Sequence, residues 1–168
     1  MALIVEDGTI VVDANSYCSV ADADAYHTTR GNAAWAALDN TTKEQNLIKA
    51  TDYISMFYDA LWDGEPMQAG QSLAWPRRDV RVSGGFYIPI DIIPRALRHA
   101  TAELAMKAAS GINLFEDIGR ETLSEKVGEI AVTYAQGSRR STQFTVVDGW
   151  LSSFLGARGM GMIPISRA

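Results

Sequence analysis

The stretch TTKEQNLIKATDYISMFYDALW, residues 41–62, decides the fold class. Leu47, Ile48, Thr51, Ile54, Tyr58 and Leu61 recur in it at three- and four-residue steps, one apolar stripe on a helix, with Phe57 at its edge. Lys43, Glu44, Lys49, Asp52 and Asp59 are expected mostly to face away. Thr41 with Glu44 reads as a capping box that opens the helix, and Asp63-Gly64 with Pro66 closes it. A second strong helix runs from Pro94, expected at its first position, to Gly111. Its inner face, Leu97, Ala100, Thr101, Leu104, Ala105 and Ala108, is narrow and alanine-rich, so a partner helix can come close. The pattern predicts a mainly α fold, an antiparallel helical bundle.

The segments on either side are weaker. Residues 1–12 form a short strand or an arm around Gly8. Ser19, with Asp22 three residues on, caps a short and mostly polar helix that ends at Gly31. Trp35 sits on a short helical or turn segment. Residues 64–93 hold three of the five prolines and read as irregular. Residues 124–135 change period, with Val127, Ile130, Val132 and Tyr134 around a Gly128-Glu129 bend, and predict a small β-hairpin. Residues 144–156 predict a third helix through Val147, Trp150, Leu151, Phe154 and Leu155. The division expected is a helical domain over 1–156 with an extended C-terminal tail over 157–168, without stable structure when the chain is alone.

At 168 residues and 47% hydrophobic, the chain is sized for one ordinary domain and is too apolar for wholesale disorder. It has no run of about 18 apolar residues such as a membrane span requires. Acids stand near the N-terminus where a signal peptide carries Lys or Arg, so secretion is not expected. Cys18, the single cysteine, excludes an internal disulfide and any CxxC knuckle. Charge is segregated: residues 1–65 carry net −8 and residues 66–168 net +3. Such a dipolar chain suits head-to-tail contact between copies, although solvated faces that merely segregate would look the same.

The residues that could carry chemistry form no complete constellation. His27 with Asp24 and His99 with Glu103 could be imagined as a two-helix metal site; the plainer reading leaves His27 facing solvent and His99 partly buried. Cys18 reads as a small hydrophobe. GARGMG at 156–161 has the wrong spacing and context for a phosphate loop. No catalytic, metal or cofactor residue is assigned, and the chain is expected not to be an enzyme. Trp75, Pro76 and Arg77, near Arg78, Arg81, Phe86 and Tyr87, mix aromatic and basic groups as single-strand binders do. The acidic balance argues instead for a packed Trp75, with Arg77 in local salt bridges and the three residues in a structural or inter-subunit loop.

Several signatures then line up in order: Tyr17-Cys-Ser-Val-Ala-Asp-Ala-Asp-Ala-Tyr-His27, Arg30-Gly-Asn-Ala-Ala-Trp35, Leu47-Ile-Lys-Ala-Thr-Asp-Tyr-Ile54, Leu73-Ala-Trp-Pro-Arg77, Ile93-Pro94 with Ala100-Thr-Ala-Glu-Leu-Ala105, and Ser124-Glu-Lys-Val-Gly128. Over residues 1–135 this order resembles a tailed-bacteriophage structural family labelled DnaT-like single-stranded DNA-binding protein, and is similar to phage head–tail connectors. The resemblance implies a ring of typically twelve copies beneath the portal protein, in the neck of the virion, assembled in the host cytoplasm. It also implies a tail or collar protein below and double-stranded DNA passing through without specific binding. On that footing Arg158, Met160, Met162, Ile163, Pro164, Ile165 and Arg167 are expected to dock on the portal. Some of Asp22, Asp24, Asp39, Asp52, Asp59 and Asp63 are expected to line the channel and repel the phosphates. A ring subunit of this kind is expected to have little core of its own. The label itself implies the alternative, a replication-type single-strand binder with Trp75 and Arg77 exposed.

Overall fold

The computed structural model describes residues 2–116 and 144–156 and, in backbone, two strands at 124–127 and 130–133. The fold is the mainly α bundle with a small antiparallel hairpin that the periodicity predicts. Its helices among the described residues are α1 (Val20–Thr28), α2 (Ala33–Ala36), α3 (Asn40–Tyr58), α4 (Arg95–Ala109) and α5 (Thr145–Leu151). Strands β1 (Glu65–Pro66) and β2 (Arg77–Arg78) pair antiparallel, as do β3 (Ser124–Val127) and β4 (Ile130–Thr133).

Helix α1 begins at Ser19, whose hydroxyl accepts the Asp22 N–H at 3.0 Å. For α3 the predicted capping box is two residues out of place. Asp39, not Thr41, is the cap, accepting the Thr42 N–H at 3.0 Å and its hydroxyl at 2.6 Å. A short carboxylate placed before Asn40 reaches those donors, and Thr41 is left exposed. Pro94 is likewise the cap of α4 rather than its first residue. The buried face of α3 is Leu47, Ala50, Thr51, Tyr53, Ile54 and Tyr58, joined at its start by Lys43 and Asn46. Lys43 was expected outside; it is buried because Asp24 draws its ammonium inward to 2.9 Å. The two threonines in the apolar faces, Thr51 and Thr101, each donate their hydroxyl to the carbonyl four residues back, at 3.0 and 2.9 Å. That bond lets a polar side chain sit at 0% exposure.

Ring contacts fix the helix directions. Tyr53 of α3 meets Phe144 at 5.3 Å, and Tyr58 donates its hydroxyl to Asp148, so α3 and α5 run the same way. Lys107 lies over Phe144 and His99 beside Trp150, so α4 runs against both. Ala100, Ala102 and Ala105, all fully buried, let α4 approach its neighbours closely.

The expectation of a meagre core is corrected. Tyr58, Trp62, Trp75 and Phe154 touch in succession, at 6.0, 5.7 and 5.7 Å, and seal the end of the bundle. Residues 59–82 therefore bring large side chains into the interior, although only β1 and β2 are regular strand there. Residues 154–156 are stitched to the same place. Asp63 N–H donates to the Phe154 carbonyl and Gly156 N–H to that of Leu61, both at 2.9 Å. The turn works because Gly64 has φ +65°; a Cβ there would overlap the Arg78 carbonyl oxygen.

The N-terminal arm is neither free nor a long strand. Val5 bridges Ser16, and the buried Glu6 carboxylate accepts the N–H groups of Gly8, Ile10 and Val11 at 2.8–3.0 Å. Three donors from one loop thus surround a buried charge.

Candidate functional site

Trp75 and Arg77 lie inside the protein, at 0% and 6% exposure, and Pro76, joined to Trp75 by a cis peptide bond, is buried with them. Among the described residues Arg77 makes none of the expected salt bridges. Its guanidinium donates to the carbonyls of Asp63 (2.9 Å), Gly64 (2.8 Å) and Ala74 (3.2 Å). Burial lowers its pKa, with the neighbouring acids Asp59 and Asp63 opposing. The Trp-Pro-Arg run is thus a structural loop, and it offers no stacking surface to a nucleic acid.

The imagined histidine–carboxylate site is not assembled, because each member is committed elsewhere. His27, expected at the surface, is 2% exposed. Its Nε2–H donates to the Ala102 carbonyl at 3.1 Å, and its Nδ1 accepts from Asn32 at 3.2 Å. Burial holds this imidazole neutral by lowering its pKa. Asp24 accepts from Trp35 Nε1 at 2.7 Å as well as from Lys43. Burial alone would raise its pKa, but these two donors outweigh it and the net shift is downward. Glu103 accepts the Tyr26 hydroxyl at 2.6 Å. Among the described residues no three of His, Cys, Asp and Glu converge to hold a metal. Burial, with Asp22 nearby, pushes the Cys18 thiol up to about 12, so it is not a nucleophile at neutral pH.

The six acids sit in different places. Asp22, exposed, accepts the Ser19 hydroxyl at 2.9 Å and faces Arg98 at 3.5 Å. Asp24, on α1, pairs with Lys43 near the start of α3, where Asp39 is the cap, whereas Asp52 is exposed on the later half of α3 and Asp59 just past its end. Asp63 accepts the Arg81 N–H at 3.1 Å. A helix of 19 residues is about 28 Å long, so the two ends of α3 are well separated. Arg158, Met160, Met162, Ile163, Pro164, Ile165 and Arg167 lie outside the described residues, as does the whole tail.

Two surface features stand apart from these residues, the first in the loop whose Phe86 and Tyr87 the sequence had already drawn attention to and the second without a sequence signal. The first is a small turn over residues 80–88, closed by Val82 N–H to the Phe86 carbonyl at 2.8 Å and Ile88 N–H to that of Val80 at 3.0 Å. Gly84 and Gly85 form its tip, with φ +85° and +82°. Phe86, Tyr87, Ile90 and Ile92 follow, 73%, 62%, 51% and 41% exposed. Together these four form an exposed apolar run. The second is a cleft of about 260 Å³ between α1 and the start of α4, with Arg30, Arg95, Arg98 and His99 on its walls.

The fold and these surfaces define a small helical module with its own core and one exposed apolar turn. The chain belongs to the family described as "Putative DnaT-like ssDNA binding protein", whose profile matches residues 1–168. Neither the curated proteins nor the solved structures contain a match to it.

Proposed function

We propose that this protein is a head-to-tail adaptor of a tailed bacteriophage, a subunit that forms a ring with further copies beneath the portal and continues the DNA channel towards the tail. The observation that carries the reading is the apolar turn of Phe86, Tyr87, Ile90 and Ile92 on a module whose interior is otherwise closed. In a ring each copy presents two different surfaces to its two neighbours, and a protruding apolar turn fits the role of the inserted one. The charge segregation supports the same geometry. Asp52 and Asp59, exposed seven residues apart near the end of α3, are the acids best placed to line the channel. Residues 158–168 dock on the portal, as the acid-free composition of that segment suggests.

The test is reconstitution with portal particles, read by electron microscopy and mass photometry. The full chain is expected to add a ring to the portal. The double variant Phe86→Asp, Ile90→Asp is expected to stay folded and to form no ring. Removing 158–168 is expected to abolish portal binding and leave the helical circular dichroism unchanged. A double variant that assembles at full stoichiometry, or necks that lack the protein, would overturn the proposal.

The family description supports a second reading, a single-stranded DNA-binding module. Its expected site, Trp75 with Arg77, is sealed, so an oligonucleotide would have to bind elsewhere. Quenching of the half-buried Trp150 by oligothymidylate, with affinity falling steeply as salt rises, would favour that reading.

A further inference from the structure

We infer that the cleft between α1 and α4 is a phosphate-binding site, gripped by Arg30, Arg95 and Arg98. Three arginines line this one cleft, and among the described residues the one carboxylate on its wall is that of Asp22. Asp22 does not neutralise them: its contact with Arg98 is long, 3.5 Å, and the same carboxyl is already held by Ser19. Arg30 lies flat over Tyr26, its central carbon 3.6 Å from the ring centroid, and spends one nitrogen on the Tyr26 carbonyl at 3.0 Å. Arg95 donates to Nε2 of His99 at 3.3 Å, which requires a neutral imidazole with its proton on Nδ1. Burial and the surrounding arginines lower the pKa of His99, consistent with that tautomer.

Two further donors go unused. Arg98 Nε and His99 Nδ1 are buried with no hydrogen-bond partner among the described residues. Planar, forked guanidinium donors match the oxygens of a phosphate, and three arginines on the walls of one cleft suit a multiply charged oxyanion better than a single carboxylate. At about 260 Å³ the cleft is smaller than the ~300–1,000 Å³ of pockets that enclose a whole small molecule. It takes a phosphate group, either free or presented by a strand's backbone. Tyr26 is not open for base stacking, because Arg30 covers one face and His99 lies 4.5 Å away. The site stands whether or not the chain forms a ring.

The experiment is titration of the full chain with inorganic phosphate at constant ionic strength, read by 15N–1H arginine side-chain spectra and by melting temperature. Sodium acetate serves as control, and oligothymidylate is titrated in a separate arm. Phosphate is expected to shift the Nε–H signals of Arg95 and Arg98 and to raise the melting temperature, while acetate does neither. Arg95→Ala, at an exposed position, is expected to weaken phosphate binding about tenfold. Arg98→Lys, which keeps the charge but loses the fork, is expected to weaken it in the same direction. Oligothymidylate that binds and is displaced by phosphate identifies a strand as the source; phosphate that binds where oligothymidylate does not identifies a free phosphate. Equal responses to acetate and phosphate, or unchanged binding in both variants, would overturn the assignment.

Discussion

His27 shows how an environment rewrites a residue. In solution its imidazole takes up a proton below about pH 6.5, its ordinary value; in the fold both ring nitrogens are occupied and burial holds it neutral. Below that pH the unfolded chain binds more protons than the folded one. The stability His27 contributes is therefore complete above pH 6.5 and is lost as pH falls towards its lower folded value. His99 shifts in the same direction and adds to the slope. Urea midpoints between pH 7.5 and 5 are expected to fall for the natural protein. His27→Gln is expected to flatten part of that fall, and an unchanged slope would show that His27 does not stay neutral. Arg77 is the other residue whose role the fold redefines. Arg77→Ala removes three bonds from a charged donor to loop carbonyls and is expected to cost about 3 kcal/mol of stability by chemical denaturation. Its effect on oligonucleotide binding is expected to be nil.

Among the elements, the long helices were legible because their apolar spacing is regular and their stops are Pro and Gly. What the pattern concealed was polar. Lys43 reads as an outward residue, and only the position of Asp24 on another helix turns it inward. The short α1 looks polar throughout, yet Ala23, Tyr26 and His27 form its buried face against α4. No periodicity announces a face built from an alanine, a tyrosine and a histidine. Residues 64–93 were rightly read as irregular, but irregular backbone says nothing about where Trp75 and Val80 point; the helix expected to run to 62 instead ends at Tyr58, and a 3-10 turn over Asp59–Leu61 carries Trp62 inward. The arginine cleft was illegible for a related reason: Arg30 is some 65 residues from Arg95 and Arg98, and only the packing of α1 on α4 joins them. The start of α3 gives a direct check. Asp39→Ala is expected to cost about 1 kcal/mol, whereas Thr41→Ala stays within about 0.5 kcal/mol, in thermal or urea unfolding. Equal losses at the two positions would restore Thr41 as the cap.

For the molecule as a whole, the closed interior changes what must be explained. With 25 buried apolar residues among those described, the chain has a core of its own, so the ring proposed above would have to be driven by its surface. Truncation separates the two. A chain ending at Gly156 is expected to melt like the full one. A chain ending at Trp150 loses Leu151 and Phe154, both buried, and is expected to show no cooperative transition by calorimetry. No helix among the described residues is long and apolar enough to cross a membrane.

The bonds from Asp63 to Phe154 and from Gly156 to Leu61 act as a mooring. If residues 157–168 dock as proposed, their partner must lie within about 40 Å of that post, the most a dozen extended residues can span. Asp59, Asp63 and Glu65 cluster in sequence around that post, so a partner proposed to reach it would meet an acidic surface there.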